Sequence, residues 1–298
     1  MKIAVTGGSG RVGSQFIRLL LDQGDTVFNL DRRAPKEHLC PFRYVDLTDL
    51  GRVYDCLHDM EAVVHLAAYP SPYGAPPETI FGANVMGTYH VAQAVEAFGM
   101  ERLVFSSTDS TLGFPFKTRP FLPHYLPIDE QHPQLPQDPY GLSKQVGEEI
   151  LKTLTRKTGV TTVTLRITYI TTEESYERFP MAWRNPSWGA FNLWSYLDIR
   201  DAASAFSLAL KTPLEGYHVY YIAEPETVRP EPTCDLLAAS YPGEIEFRRV
   251  LERNSSLLDT TAARRDLGWA PAHHWQDYVS PDQVTEWIQS HPDVTLNR

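Results

Sequence analysis

Thr6-Gly7-Gly8-Ser9-Gly10-Arg11-Val12-Gly13 follows the short apolar run Lys2–Thr6 and precedes a stretch, 12–23, with apolar residues at three- and four-residue spacing. The glycines therefore lie between a first strand and a first helix. Glycine permits the tight turn this junction needs. It also lets backbone N–H groups approach an anion favoured by the helix N-terminus. In that place Gly7, Gly10 and Gly13, with Arg11 and Val12 between them, read as a turn that grips a pyrophosphate.

Outward from this turn, short β-branched runs at 2–6, 26–30, 43–45, 62–66, 102–107 and 161–167 alternate with helical stretches at 12–23, 49–58, 77–98 and 140–158. Gly24 and Gly99 stand where helices end. The alternation predicts an α/β fold, a Rossmann-type doubly wound parallel sheet. Residues 1–168 would form a dinucleotide-binding domain that includes the helix at 140–158. Beyond 168 the pattern loosens into a segment, 169–196, rich in Tyr, Phe and Trp. A helix at 198–211, a strand at 218–222, a helix near 234–240 and a last helix around 275–290 follow. Residues 169–298 are thus expected to form a small C-terminal α/β substrate lobe, interleaved with the core sheet and not folding alone. The connection 110–139 carries prolines at 115, 120, 123, 127, 133, 136 and 139, as a stiff lid or binding loop would.

The 298 residues carry 27 Lys and Arg against 37 Asp and Glu, a net charge of −10. That balance argues against nucleic acid or an anionic membrane as partner, because both require clustered basic charge. Cys40, Cys56 and Cys234 are scattered, with no spacing for zinc or a disulfide framework. The ten histidines, His65, His124, His273 and His274 among them, show no metal-ligand spacing, so no metal is expected. No leader segment and no apolar run of membrane-spanning length is evident, and a cytoplasmic location follows.

Three features strengthen the cofactor reading. Asp31 ends the second strand, placed to accept hydrogen bonds from an adenosine ribose. Asp46, followed by Leu47, comes after the third strand within reach of an adenine. His65 is followed by the small side of the fourth strand's end, Leu66, Ala67 and Ala68, where a cofactor can cross the sheet. A carboxylate at Asp31 repels a 2′-phosphate and so favours NAD. Arg32 and Arg33 beside it could hold that phosphate, which keeps NADP as the alternative.

Tyr140 and Lys144, four residues apart on one predicted helix, share a face. A phenol is a poor base at neutral pH, but an adjacent ammonium and a positive nicotinamide ring favour the phenolate. Such a tyrosine can act as general acid/base between an alcohol and a ketone. Ser106, Ser107 and Thr108 end the fifth strand, where doubly wound sheets place ligands, and a hydroxyl there would meet the substrate's reacting oxygen.

With these residues in this order the chain resembles the extended short-chain dehydrogenases/reductases, the NAD-dependent epimerase/dehydratase group. The resemblance spans nearly the whole chain: TGGSGRVG at 6–13, Asp31, VDLTD at 45–49, HLAA at 65–68, NVMGT at 84–88, FSST at 105–108, YGLSK at 140–144, YLDIRDAASAF at 196–206 and LGWAP at 267–271. It implies a catalytic set of Thr108, Tyr140 and Lys144, with Thr108 where a serine is more usual. Tyr140 would move the proton and Lys144 would also hold the nicotinamide ribose. Asn84 would lie near the active site, Ser106 would border the cofactor, and two subunits would pair through helices 77–98 and 140–158.

The resemblance leaves the reaction open. Arg166-Ile167-Thr168-Tyr169 lacks the asparagine that nucleotide-sugar members carry after the sixth strand, the chain is shorter than theirs, and Thr108-Asp109-Ser110 has one acid where dehydratases have two. Residues 165–183 and SSTDSTLG at 106–113 are instead similar to uronate dehydrogenases, which oxidise a hexuronate to a lactone. That similarity puts an arginine on the substrate carboxylate, here Arg178, with Ser107, Thr108 and Tyr140 also at the substrate. The expectation is an NAD-dependent dehydrogenase of a free sugar or sugar acid. The alternatives are a nucleotide-sugar 4-epimerase with tightly bound NAD, and a non-catalytic sensor of NAD(H).

Overall fold

Ile3, Ala4, Val5 and Thr6 are all buried, a continuous run that fits a strand with helices on both of its faces. In the computed structural model, which describes residues 1–290, this run is an interior strand of a seven-stranded parallel sheet. The first half of the chain contains β1 (Lys2–Thr6), α1 (Arg11–Asp22), β2 (Thr26–Asp31), β3 (Phe42–Tyr44), α2 (Leu50–Leu57), β4 (Ala62–His65), α3 (Pro77–Phe98) and β5 (Arg102–Thr108). Then come β6 (Tyr125–Leu126), α4 (Pro139–Thr158), β7 (Thr161–Ile167), β8 (Ile170–Thr171), α5 (Glu173–Tyr176) and α6 (Phe179–Trp183). Next are β9 (Leu197–Asp198), α7 (Ile199–Lys211), β10 (Tyr217–Ile222) and α8 (Thr233–Ser240). The described chain closes with β11 (Glu246–Phe247), α9 (Thr261–Leu267) and α10 (Pro281–Ser290).

The strand order is β10-β7-β5-β4-β1-β2-β3, with every pairing parallel. Reversal of order about β1 and β4 makes the sheet doubly wound, with the crevice outside the carboxyl ends of those strands. The sequence predicts six strands here. The seventh is β10, expected in the C-terminal lobe but paired with β7 as the sheet's edge, Tyr217 opposite Thr162 and Ile222 opposite Ile167. Helix α7 carries the chain to it and packs beside α1 on one face, filling a core with Phe16, Leu20, Phe206 and Leu210. On the other face α2, α3 and α4 bury Val53, Val91, Val95 and Leu151 against Leu103 and Phe105. Gly24 and Gly99 take left-handed φ of 82° and 61° where α1 and α3 end.

The lobe has its own core, in which Tyr176, Phe179, Trp183, Trp194 and Tyr196 of the aromatic segment are buried. The proline-rich connection belongs to this core too. Phe114, Leu126 and Ile128 are buried in it, and β6 pairs with β11. It is therefore anchored structure, not a free lid. The helix expected over 275–290 divides into a short turn at Trp275–Asp277 and α10, which restarts at Pro281 because proline suits a first helical position.

Candidate functional site

The glycine turn is sterically closed. Gly7 has φ +71°, and a Cβ on it would stand 2.7 Å from the Ala67 nitrogen. A Cβ on Gly13 would come within 2.2 Å of the Gly7 carbonyl oxygen, so α1 can start this close to β1 only with glycine there. Gly10 caps α1 with no side-chain hydrogen bond, and the first turn holds no acid. The helix end thus offers free N–H groups and positive polarity, a seat for an anion.

The turn opens onto a cavity of about 550 Å³. Gly7, Gly10, Arg11, Val12 and Gly13 form its floor. Asp31, Arg32 and Arg33 line it from the end of β2, Asp46 and Leu47 from after β3, Leu66, Ala67 and Ala68 from after β4, and Asn84 from α3. The Asp31 carboxylate, nearly buried, accepts hydrogen bonds from the backbone N–H of Ser9 at 3.2 Å and of Arg33 at 3.0 Å. Asp46 accepts both the N–H and the hydroxyl of Thr48, at 2.9 and 2.7 Å, which holds its carboxyl below the usual range. Arg32 lies over the Tyr69 ring at 4.8 Å and donates to its hydroxyl at 3.2 Å. That bond raises the guanidinium's pKa and keeps it on the cavity wall. Tyr69 and Ile170 also line the cavity and escaped the sequence reading. Tyr69 directly follows HLAA, which could have flagged it; Ile170 carries no signal.

Asn84 works as a latch. Its Oδ1 accepts from the Tyr69 N–H at 2.8 Å, and its Nδ2 donates to the Tyr69 carbonyl at 3.2 Å and to Ser143 Oγ at 3.0 Å. The chain after β4 is thereby tied to α4. Below it His65 is buried between the hydroxyls of Thr6 and Thr88, and burial pushes its pKa down to about 3. It is a neutral packing histidine.

Helix α4 begins at a sharp stop. Asp138 caps it by accepting from the Gly141 N–H at 2.8 Å, and Pro139 takes the first helical position. Tyr140 enters the first turn and Lys144 follows on the same face; both are buried. The Thr108 hydroxyl at the end of β5 faces the Tyr140 phenol and pulls its pKa down, against burial. Lys144 Nζ donates to the Ser106 carbonyl at 2.7 Å and stands 4.7 Å from the centre of the Phe105 ring. Thr108, Tyr140, Lys144 and Ser106 are thus brought together as expected.

Their electrostatics depart from the simple reading. Burial drives the Lys144 ammonium down to about 7, only partly opposed by the Glu148 charge. The sequence expectation is that the lysine and a nicotinamide ring together lower the phenol. Burial instead raises it well above its usual value, and the carboxylates of Asp109 and Asp138 add to the rise. In the chain's own field the phenol is a proton donor, and a further positive charge is needed to turn it into a base.

Among the described residues, two expected at the substrate make no bond to the catalytic groups. Ser107 donates its hydroxyl to Glu148 Oε1 at 2.6 Å, away from the reacting end. Glu148 is fully buried and is forked by Arg166 at 3.0 and 2.8 Å, with Gln134 donating at 2.9 Å. Arg178 stands exposed before α6, and among the described residues no hydrogen bond or ion pair ties it to the catalytic groups. What does approach Tyr140 is Phe116, edge-on at 6.2 Å, itself met by the exposed Tyr73 at 5.7 Å. Neither aromatic has a sequence signal.

One set of ligand-type side chains converges outside this site. Carboxylate and ring atoms of Asp198, Asp201 and His273 lie within 4.8 Å of one another. Asp198 is already occupied by Arg200 and by the Tyr176 hydroxyl at 2.8 Å, and Asp201 by the His273 backbone and ring at 2.9 and 3.0 Å. The set is a hydrogen-bonded clamp between α7 and the chain after α9.

The model of the NAD dependent epimerase/dehydratase family matches residues 3–223. A UDP-glucose 4-epimerase of Lactobacillus helveticus is 27% identical, over 98% of this chain and 98% of that protein. A uronate dehydrogenase of Pseudomonas syringae pv. tomato is 28% identical, over 61% of this chain and 59% of its own length. Among solved structures, a short-chain dehydrogenase/reductase superfamily protein from Agrobacterium tumefaciens with bound NAD superposes with a TM-score of 0.72, at 23% identity, over 98% of this chain and 99% of that one.

Proposed function

The chain belongs to the NAD-dependent epimerase/dehydratase family, and from that premise we propose that it is a dehydrogenase of a free sugar or sugar acid. The observation that carries this reading is the Tyr140 phenol buried against the Thr108 hydroxyl, with Lys144 one turn along the same helix. The uncapped N-terminus of α1 would hold the pyrophosphate, Asp31 the adenosine ribose, and Lys144 the nicotinamide ribose. NAD, when bound, would supply the hydride acceptor and the positive charge of its nicotinamide ring. Thr108 and Tyr140 bind the sugar hydroxyl, and Tyr140 takes its proton as the C–H bond gives up its hydride. A phenolate at Tyr140 would in turn favour the charged form of Lys144, which burial brings down to about 7.

The lobe supports a small substrate. Its buried arginine Arg229, like Arg166 at the end of β7, is forked onto a carboxylate, Glu231 and Glu148 respectively. Neither guanidinium is therefore free to take a diphosphate, which supports a substrate without one. Exposed Met86 and Tyr89 on α3 and Leu142 on α4 support pairing of two subunits through those helices, which light scattering tests.

A second reading, a nucleotide-sugar 4-epimerase, is favoured by the end-to-end likeness to the Lactobacillus helveticus enzyme. One experiment separates the two. Purified protein is given NAD and a panel of free aldoses and hexuronates while NADH absorbance is followed, and UDP-glucose is assayed in parallel for its 4-epimer. NADH formation with a free sugar supports the dehydrogenase. Epimer formed without net NADH rejects it.

A further inference from the structure

We propose that Asp109 is a positioning residue, whose buried carboxyl sets the direction of the Thr108 hydroxyl and through it what that hydroxyl offers the Tyr140 phenol. The proposal rests on the reading of Thr108 and Tyr140 as the reacting pair.

The geometry is a chain of hydrogen bonds. Thr108 Oγ1 lies 3.1 Å from Asp109 Oδ1 and 3.1 Å from Ser110 Oγ, and it accepts the Ser110 N–H at 3.1 Å. The other carboxyl oxygen, Oδ2, takes the Thr168 hydroxyl at 2.8 Å. Asp109 is thus held from two adjacent strand ends, β5 and the residue after β7, and it is buried together with Thr108 and Thr168. Among the described residues it has no cationic partner; its contacts are hydroxyls and backbone N–H groups. The buried carboxylate two turns along α4, Glu148, is by contrast fully paired by Arg166.

A buried carboxyl without a cation is costly, and an amide would fill the same space more cheaply. What an amide lacks is a single-purpose acceptor. A hydroxyl has one proton and two lone pairs. When Asp109 is ionised it can only accept, so it competes with Ser110 for the one Thr108 proton and leaves an oxygen lone pair for Tyr140 or for the sugar hydroxyl. When Asp109 is protonated it can donate to Thr108, which frees the Thr108 proton to support a carbonyl or phenolate oxygen. The carboxyl thereby decides whether Thr108 accepts or donates at the reacting end. Burial pushes the Asp109 carboxyl up to about 6, against the pull of the two threonine hydroxyls, so both forms are within reach. The titratable groups that share this site are the Tyr140 phenol, which feels both Asp109 and Asp138, and Lys144, committed to the Ser106 carbonyl.

The test has a kinetic arm and a spectroscopic arm. In the first, Asp109→Asn, Thr108→Val and the double variant are assayed as NAD-loaded enzyme, with whichever sugar the wild type turns over. Asp109→Asn should lower kcat on the order of tenfold, with the KM for sugar little changed and the pH profile of kcat shifted. The double variant should be no slower than Thr108→Val alone, because one residue acts through the other. Losses that multiply overturn the proposal, as does an unchanged kcat and pH profile in Asp109→Asn. In the second arm, which needs no substrate, the Asp109 carboxyl signal is identified by isotope-edited NMR from its loss in Asp109→Asn. Its titration midpoint should rise in Thr108→Val, since that hydroxyl favours the ionised form. An unmoved midpoint overturns the proposal. Failure of every sugar to react counts against the proposed activity and leaves this second arm standing.

Discussion

Lys144 Nζ donates to the carbonyl oxygen of Ser106 at 2.7 Å, which tethers the lysine to the end of β5, two residues before Thr108. Strand β5 and helix α4 are therefore joined at the site by a charged hydrogen bond as well as by packing.

Replacing Tyr140 with Phe should lower kcat/KM by about 10² to 10⁴, the usual worth of a positioned acid/base, while NAD affinity measured by fluorescence is kept. Lys144→Met should lose both, if the lysine serves the phenol and the ribose as proposed. A Tyr140→Phe enzyme retaining a tenth or more of wild-type turnover would remove the phenol from the mechanism.

Asp31, held by two backbone N–H groups at the cavity, should set the coenzyme preference. Wild-type protein is expected to use NAD over NADP. Asp31→Ala should move the ratio of their kcat/KM values toward NADP by at least about tenfold, a change of about 1.4 kcal/mol. Arg32, fixed on Tyr69, is close enough to help the 2′-phosphate once the carboxylate is gone. No change in the ratio would mean that discrimination lies elsewhere.

The Glu148–Arg166 pair is buried at both ends, with side-chain exposures of 0% and 4%. Breaking a buried pair from one side leaves a stranded charge and costs about 3–5 kcal/mol. Arg166→Met should show that loss in urea denaturation. The paired change Glu148→Gln with Arg166→Met should recover much of it, and equal stability of the single and double variants would refute the pairing argument.

Glu224 sits beside Asp201 and Asp198, with His274 Nδ1 3.1 Å from its Oε2. Burial and the two neighbouring carboxylates raise it to about 9, so the folded chain keeps a proton that the unfolded chain releases near 4.5. The folded state binds more protons across that window, and stability must fall as pH rises from about 5 to about 9. Glu224→Gln should flatten the dependence of Tm on pH over this range. Parallel curves for wild type and variant would contradict it.

The parts of the molecule that the chain announces in advance are those governed by local rules. The glycine turn, Asp31, the 140–144 motif and all six of the expected strands follow from spacing, because a βα junction and a helix face each constrain their own few residues. Long-range partners are not written locally. Ser107 sits beside Thr108 in the chain, yet the buried Glu148, forty residues on, claims its hydroxyl. The shift at Tyr140 likewise depends on how deeply the site is buried, which no spacing reveals. Residues 218–222 read as a lobe strand because sequence order hides which edge of the sheet stands open. Phe116 reaches Tyr140, and Tyr73 reaches Phe116, only through the folded course of two loops.

The placement of β10 bears on how the protein is made. Its partner β7 leaves the ribosome some fifty residues earlier and waits with an open row of N–H and C=O groups until Tyr217–Ile222 emerges. Over that interval the nascent cofactor half has a raw border, where a strand from another chain could be accepted in place of its own. Synthesis of the lobe segment is thus also the delay before the border is sealed, and a premature stop codon between residues 168 and 217 would leave it open for good.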